Sequence, residues 1–135
     1  GDFSVYSDYA HHPTEIRATL SSLKNSRGKI IAVFQPHTYS RTLSFLDEFA
    51  HALSLADFVI LYPIFASRES EKTVDELTLL DKITCDKFYA ENPINIYDKL
   101  SSIIKPCDTV VFLGAGDIDE FAHAFAHKLQ AKWIY

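Results

Sequence analysis

The sequence has no methionine. A natural full-length chain opens with one, so the simpler expectation is a piece of a longer protein. Cysteine occurs twice, at Cys85 and Cys107, with no CxxC spacing and no histidines at metal-finger distances. That pattern excludes a zinc-finger scaffold and reads as two idle thiols in a reducing, cytoplasmic setting. Basic residues number 13 against 18 acidic ones, and the net charge of −5 excludes a general affinity for nucleic acid or acidic membranes. No apolar run approaches the ~20 residues that span a bilayer, and no charged-then-apolar leader opens the chain. Internal repeats, low-complexity stretches and Gly/Ser linkers are also missing, so residues 1–135 are expected to form one compact domain.

Three chemical signatures are missing as well. A GxxxxGK[ST] loop is absent, so this chain cannot hold a triphosphate in the P-loop manner. GxSxG is absent, which removes the hydrolase elbow. Gly114-Ala115-Gly116-Asp117 lacks the third glycine of a dinucleotide fingerprint and follows the last predicted strand, not the first. A tight turn with Asp117 as helix cap accounts for it, and NAD binding is rejected.

What is present alternates regularly. Strand-like apolar runs occur at Phe3–Tyr9, Lys29–Phe34, Phe58–Tyr62, Lys87–Tyr89 and Thr109–Leu113. Helical spacing fills the gaps. Pro13 and Glu15 open a helix carrying Ile16, Leu20 and Leu23, and Leu43, Leu46, Phe49, Ala50 and Leu53 stripe a second. Thr73 with Glu76 reads as the capping box of a third, carrying Val74, Leu77 and Leu80. Asn92-Pro93 opens a fourth over Ile96, Leu100 and Ile103, and Asp117 with Glu120 opens a fifth over Ile118, Phe121, Phe125 and Leu129. Five alternations predict an α/β, Rossmann-like, mostly parallel sheet with helices on both faces.

Such sheets bind ligands where loops leave the carboxyl ends of the strands. Three of the six histidines fall in the first two of those loops, with Arg41 and Arg68 in the second and third. His11 and His12 allow three readings: metal ligands, helix-capping groups, or substrate contacts. Adjacent histidines diverge and no third ligand stands at a recognisable spacing, so no metal site is expected. His37 and Arg41 flank the predicted start of the second helix. Free amides there, together with a guanidinium fork, suit a carboxylate or phosphate, although a solvated arginine would look the same.

Asp8-Tyr9-Ala10-His11-His12-Pro13-Thr14-Glu15-Ile16, Phe34-Gln35-Pro36-His37-Thr38-Tyr39-Ser40-Arg41-Thr42 and Gly114-Ala115-Gly116-Asp117-Ile118 stand in that order. Together they resemble the signatures of the Mur ligase family, in its branch of UDP-N-acetylmuramate–L-alanine ligases. The resemblance runs from the first strand to the last helix. The related ligase that recycles whole murein peptides shares the His-His-Pro loop but not Gln-Pro-His-x-Tyr-Ser-Arg.

The resemblance implies a three-domain cytoplasmic enzyme. Its first domain binds the UDP-sugar, a central one binds ATP and Mg²⁺, and this carboxy-terminal, Rossmann-like domain closes over both. ATP phosphorylates the muramoyl carboxylate and the amine of L-alanine attacks the product. In this sequence Asp8 would contact the ATP ribose, with His12 beside it on the nucleotide side. His11, His37 and Arg41 would hold the alanine, Arg41 on its carboxylate, with Tyr9 lining the pocket. No catalytic residue is expected within this chain. Ser7 stands where many members have a second aspartate, and Thr38 where many have arginine. The competing class is a non-catalytic Rossmann-like module that binds a nucleotide or an amino acid.

Overall fold

The computed structural model describes residues 2–24, 27–129 and 132–134. The elements run β1 (Ser4–Asp8), α1 (Pro13–Ser22), β2 (Ile30–Phe34), α2 (Tyr39–Ser44), α3 (Leu46–Leu53), β3 (Phe58–Leu61), α4 (Glu76–Lys82), β4 (Asp86–Tyr89), α5 (Pro93–Ile103), β5 (Thr109–Leu113), α6 (Ile118–Lys128) and β6 (Lys132–Ile134). The strands form one sheet in the order β4-β3-β2-β5-β1-β6, and each adjacent pair is parallel. The predicted class, a parallel α/β sheet covered on both faces, is the observed one.

β2 and β5 are buried at every residue, which explains why they read as unbroken apolar runs and not as alternations. Ile30, Ala32, Phe34, Val111 and Leu113 pack on one face against α1, α3 and α4 through Ile16, Leu20, Phe49, Leu53 and Leu79. Ile31, Val33, Val110 and Phe112 pack on the other against α5 and α6 through Ile96, Leu100, Ala122 and Phe125. The helices that follow β1, β2 and β3 therefore lie on one face, and those that follow β4 and β5 on the other. β5 sits between β2 and β1 but sends its chain the opposite way, so a crevice opens at the carboxyl ends of these three strands.

Four details differ from expectation. The second helix is two helices, broken at Phe45, whose φ of −119° and ψ of 28° leave the helical range. Leu43 then sits on α2 and stays exposed, while Phe49, Ala50 and Leu53 are buried from α3. The third helix starts later: its cap is Asp75, whose Oδ1 accepts from Leu77 N at 2.8 Å. That start carries Leu77 outward and Leu79 inward, and Val74 is buried ahead of the helix. Asp117 stands at the cap position of α6 without a side-chain cap hydrogen bond. A sixth strand, β6, extends the sheet beyond β1 in parallel register, Ser4 opposite Lys132.

Candidate functional site

The first loop leaves β1 at Asp8. Its Oδ2 accepts from Thr19 Oγ1 at 2.6 Å and its Oδ1 from Ala10 N at 3.2 Å, so the carboxylate ties the strand end to α1. Tyr9 projects into solvent at 63% exposure. His11 Nδ1 lies 3.0 Å from Tyr9 O and 3.8 Å from Glu15 Oε1. His12 takes the capping reading: Thr14 N donates to its Nδ1 at 3.2 Å, while His12 N donates to Glu15 Oε1 at 3.1 Å. Two orphan amides of α1 are satisfied reciprocally, and Pro13 at the first helical position needs no partner. The His12 ring also meets Phe45 edge-on at 5.0 Å.

The second loop is zipped to the third. Phe65 N donates to Pro36 O and Thr38 N to Phe65 O, both at 2.8 Å, so that His37 and Phe65 form a parallel bridge past the strand ends. Within this bridge the His37 ring stacks on Phe65 at 5.6 Å and approaches His11 edge-on at 6.4 Å. Thr38 has a φ of 64°, a conformation that β-branched residues rarely adopt and that tends to mark functional loops. His37 Nδ1 is buried with no hydrogen-bond partner among the described residues. Burial pushes the His37 pKa below its ordinary 6.5, helped by the nearby Arg41 and His11 charges and opposed by Glu69. The imidazole is thereby held neutral near pH 7.

The start of α2 differs from expectation. Its free amides were read as an anion site, yet the Glu69 carboxylate already occupies them. Oε1 accepts from Tyr39 N at 2.5 Å and Ser40 N at 3.2 Å, and Oε2 accepts from Ser40 Oγ at 2.5 Å. Any external carboxylate therefore has to be met by side chains. Arg41 makes no ion pair among the described residues and keeps its guanidinium available.

The sequence assigns no role to Glu69 and foresees neither the burial of Gln35 nor the Ser7–Asp119 pair. Gln35 is 4% exposed, and its Oε1 has no partner among the described residues. A Cβ added to Gly116 would lie 2.6 Å from that oxygen, so the turn after β5 packs directly against the loop after β2. Ser7 Oγ donates to Asp119 Oδ1 at 2.5 Å and joins the end of β1 to α6. The one signal that could have pointed to these residues is position, within or beside loops at the carboxyl edge of the sheet. Among the described residues, no three His, Cys, Asp or Glu side chains come together as a metal-holding group, and no helix is long and apolar enough to cross a membrane.

The sequence pattern of the Mur ligase, glutamate ligase domain, matches residues 1–116. The chain belongs to the Mur ligase family. Among solved structures, a domain from a putative UDP-N-acetylmuramate:L-alanyl-γ-D-glutamyl-meso-diaminopimelate ligase of Haemophilus ducreyi 35000HP is 25% identical. The match covers 95% of this chain and 92% of that one, with a TM-score of 0.69. A murein peptide ligase from Psychrobacter arcticus 273-4 matches at 22% identity and a TM-score of 0.72, covering 95% of this chain but 28% of its own. MurF ligase from Thermotoga maritima, solved with ADP, matches at 21% identity and a TM-score of 0.63, covering 90% and 27%. These last two likenesses show the fold shared by Mur ligase carboxy-terminal domains, and the chain spans little more than a quarter of either enzyme. The crevice described above is thus the strand-end face of a Mur ligase domain.

Proposed function

We propose that this chain is the carboxy-terminal domain of the ligase that joins L-alanine to UDP-N-acetylmuramate, one of the three domains of a cytoplasmic enzyme. The observation that carries the reading is the ledge formed after β2. Gln35-Pro36-His37-Thr38-Tyr39-Ser40-Arg41 is pinned to the loop after β3, and the His37 ring is brought to within 6.4 Å of His11. An unpaired guanidinium and a neutral imidazole side by side suit an amino acid. Arg41 can grip the carboxylate through its planar fork. A neutral His37 can accept a hydrogen bond from the amine without adding to its positive charge. Attack by an amine needs that group oriented and unprotonated, and positioning of this kind supplies several kcal/mol. Tyr9 and His11 line the same edge.

ATP with Mg²⁺ supplies the phosphoryl group that activates the muramoyl carboxylate. The residues of this chain do not fit a primary site for either: it has no phosphate loop and, among its described residues, no metal-holding cluster. Asp8 and His12, each fixed by its own hydrogen bonds, would instead meet the ribose side of a nucleotide held by another domain.

A murein-peptide ligase is the second reading, favoured by the 25% identity to the Haemophilus ducreyi domain. The two differ in what the intact enzyme accepts. Phosphate release from ATP and UDP-N-acetylmuramate should depend on L-alanine and not on the tripeptide L-alanyl-γ-D-glutamyl-meso-diaminopimelate. Preference for the tripeptide would replace the first reading with the second. Indifference to both would favour a non-catalytic binding module.

A further inference from the structure

We propose that Glu69 is the positioning residue of this site: its carboxylate bridges the loop after β3 to the first turn of α2 and thereby holds His37 and Arg41 in place. The inference rests on the reading of that ledge as the amino-acid pocket. Glu69 is presented by a tight turn, in which its own N–H donates to Ala66 O at 3.0 Å and Ser67 takes a φ of 57°. Three donors converge on its two oxygens, all from Tyr39 and Ser40, which lie between His37 and Arg41 in the chain. No lysine or arginine pairs with it among the described residues. The carboxylate thus acts as a clamp on backbone and hydroxyl and not as one half of an ion pair.

Geometry makes the clamp specific. The Phe65–Pro36 and Thr38–Phe65 hydrogen bonds fix the ledge on the β3 side, but they end at Thr38. Beyond that point Glu69 makes the only hydrogen bonds, among the described residues, that join the loop after β3 to α2. Without it the strained turn at Thr38 is free to relax, and the ring of His37 and the fork of Arg41 can drift from a shared ligand. Charge adds a second effect. His37 faces Arg41 and His11, which disfavour its protonation, and Glu69, which favours it; the neighbouring ring of Phe65 is neutral.

The test uses Glu69→Ala and the isosteric Glu69→Gln, which keeps one acceptor oxygen and removes the charge. In the 135-residue chain, the His37 ring should titrate at lower pH in Glu69→Gln than in the parent, with far-UV circular dichroism unchanged. In the intact ligase, Glu69→Ala should raise KM for alanine about tenfold or more, the size expected for loosening a charge-assisted contact, while KM for ATP and for the UDP-sugar stay put. An unshifted His37 titration together with normal alanine kinetics overturns the proposal. A shifted titration with normal alanine kinetics supports the clamp and overturns the assignment of the ledge to alanine. If Glu69→Ala fails to fold, Glu69→Gln alone decides.

Discussion

Arg41 and His37 lie four residues apart, one in α2 and the other in the loop before it, yet they carry different physics. Arg41 keeps a charge and a planar fork with no ion-pair partner among the described residues. Arg41→Lys preserves the charge and loses the two-pronged match, at a cost of about 1.5–3 kcal/mol. We expect KM for alanine to rise roughly ten- to a hundredfold in the intact enzyme, with those for ATP and the UDP-sugar unchanged. Normal alanine kinetics in that variant would remove the assignment of Arg41 to the alanine carboxylate. His37 gives a pH signature instead. Its pKa is depressed in the folded state, so its contribution to stability is full above the ordinary 6.5 and is lost as pH falls through the folded value. Melting temperature should therefore fall less steeply between neutral and acidic pH in His37→Phe than in the parent. Parallel curves would show that His37 does not titrate as described. Both residues were legible in the sequence because they are chemically unusual in a strand-end loop. The contacts of Glu69 and Gln35 were not, because a glutamate or glutamine in a polar loop looks like any other until its hydrogen-bond partners, 28 to 30 residues away, are in place.

At the level of elements, the pattern of apolar runs located β1 to β5 and the helical segments between them but not the edge strand β6, because the buried strands and the helices packed on them leave clear apolar runs and stripes. Caps and breaks were harder to read. Thr73 with Glu76 has the spacing of a capping box, but the backbone starts the helix at Asp75, and Glu76 turns inward. There it accepts from Ile64 N at 2.9 Å and Lys72 Nζ at 2.8 Å. Local spacing cannot foresee that a buried glutamate will anchor a distant loop. The two candidate caps now make opposite predictions. Asp75→Ala should cost about 1 kcal/mol by urea unfolding, the usual value of an N-cap, and Thr73→Ala should stay within about 0.5 kcal/mol. The reverse ranking would restore the spacing-based start of α4. Phe45, where the second helix breaks, was hidden for a similar reason. Its ring meets Phe49 one helical turn on and also His12 at the start of α1, and the second of these contacts is one that no helical period encodes.

The molecule as a whole has two apolar layers, one on each face of a single sheet. The 135-residue chain should therefore unfold cooperatively in a calorimeter. It should release no phosphate from ATP with alanine and UDP-N-acetylmuramate present, because it has no phosphate loop. Turnover by the chain alone would overturn this division of labour. The strand order has a further consequence, which concerns biosynthesis. β5 is the fifth strand to be made, yet it lies between β1 and β2, pairing Val110 with Val5 on one side and with Ile31 on the other. While the polypeptide is still emerging from the ribosome, β1 therefore has no neighbour to pair with until residues 109–113 are synthesised. The α1–β2–α3–β3 portion can collapse early, but the strand-end crevice, which needs the ends of β1, β2 and β5 together, forms only once β5 is inserted. A topology that closes such long loops late folds slowly, and β1 stays unpaired throughout the synthesis of the segment between it and β5.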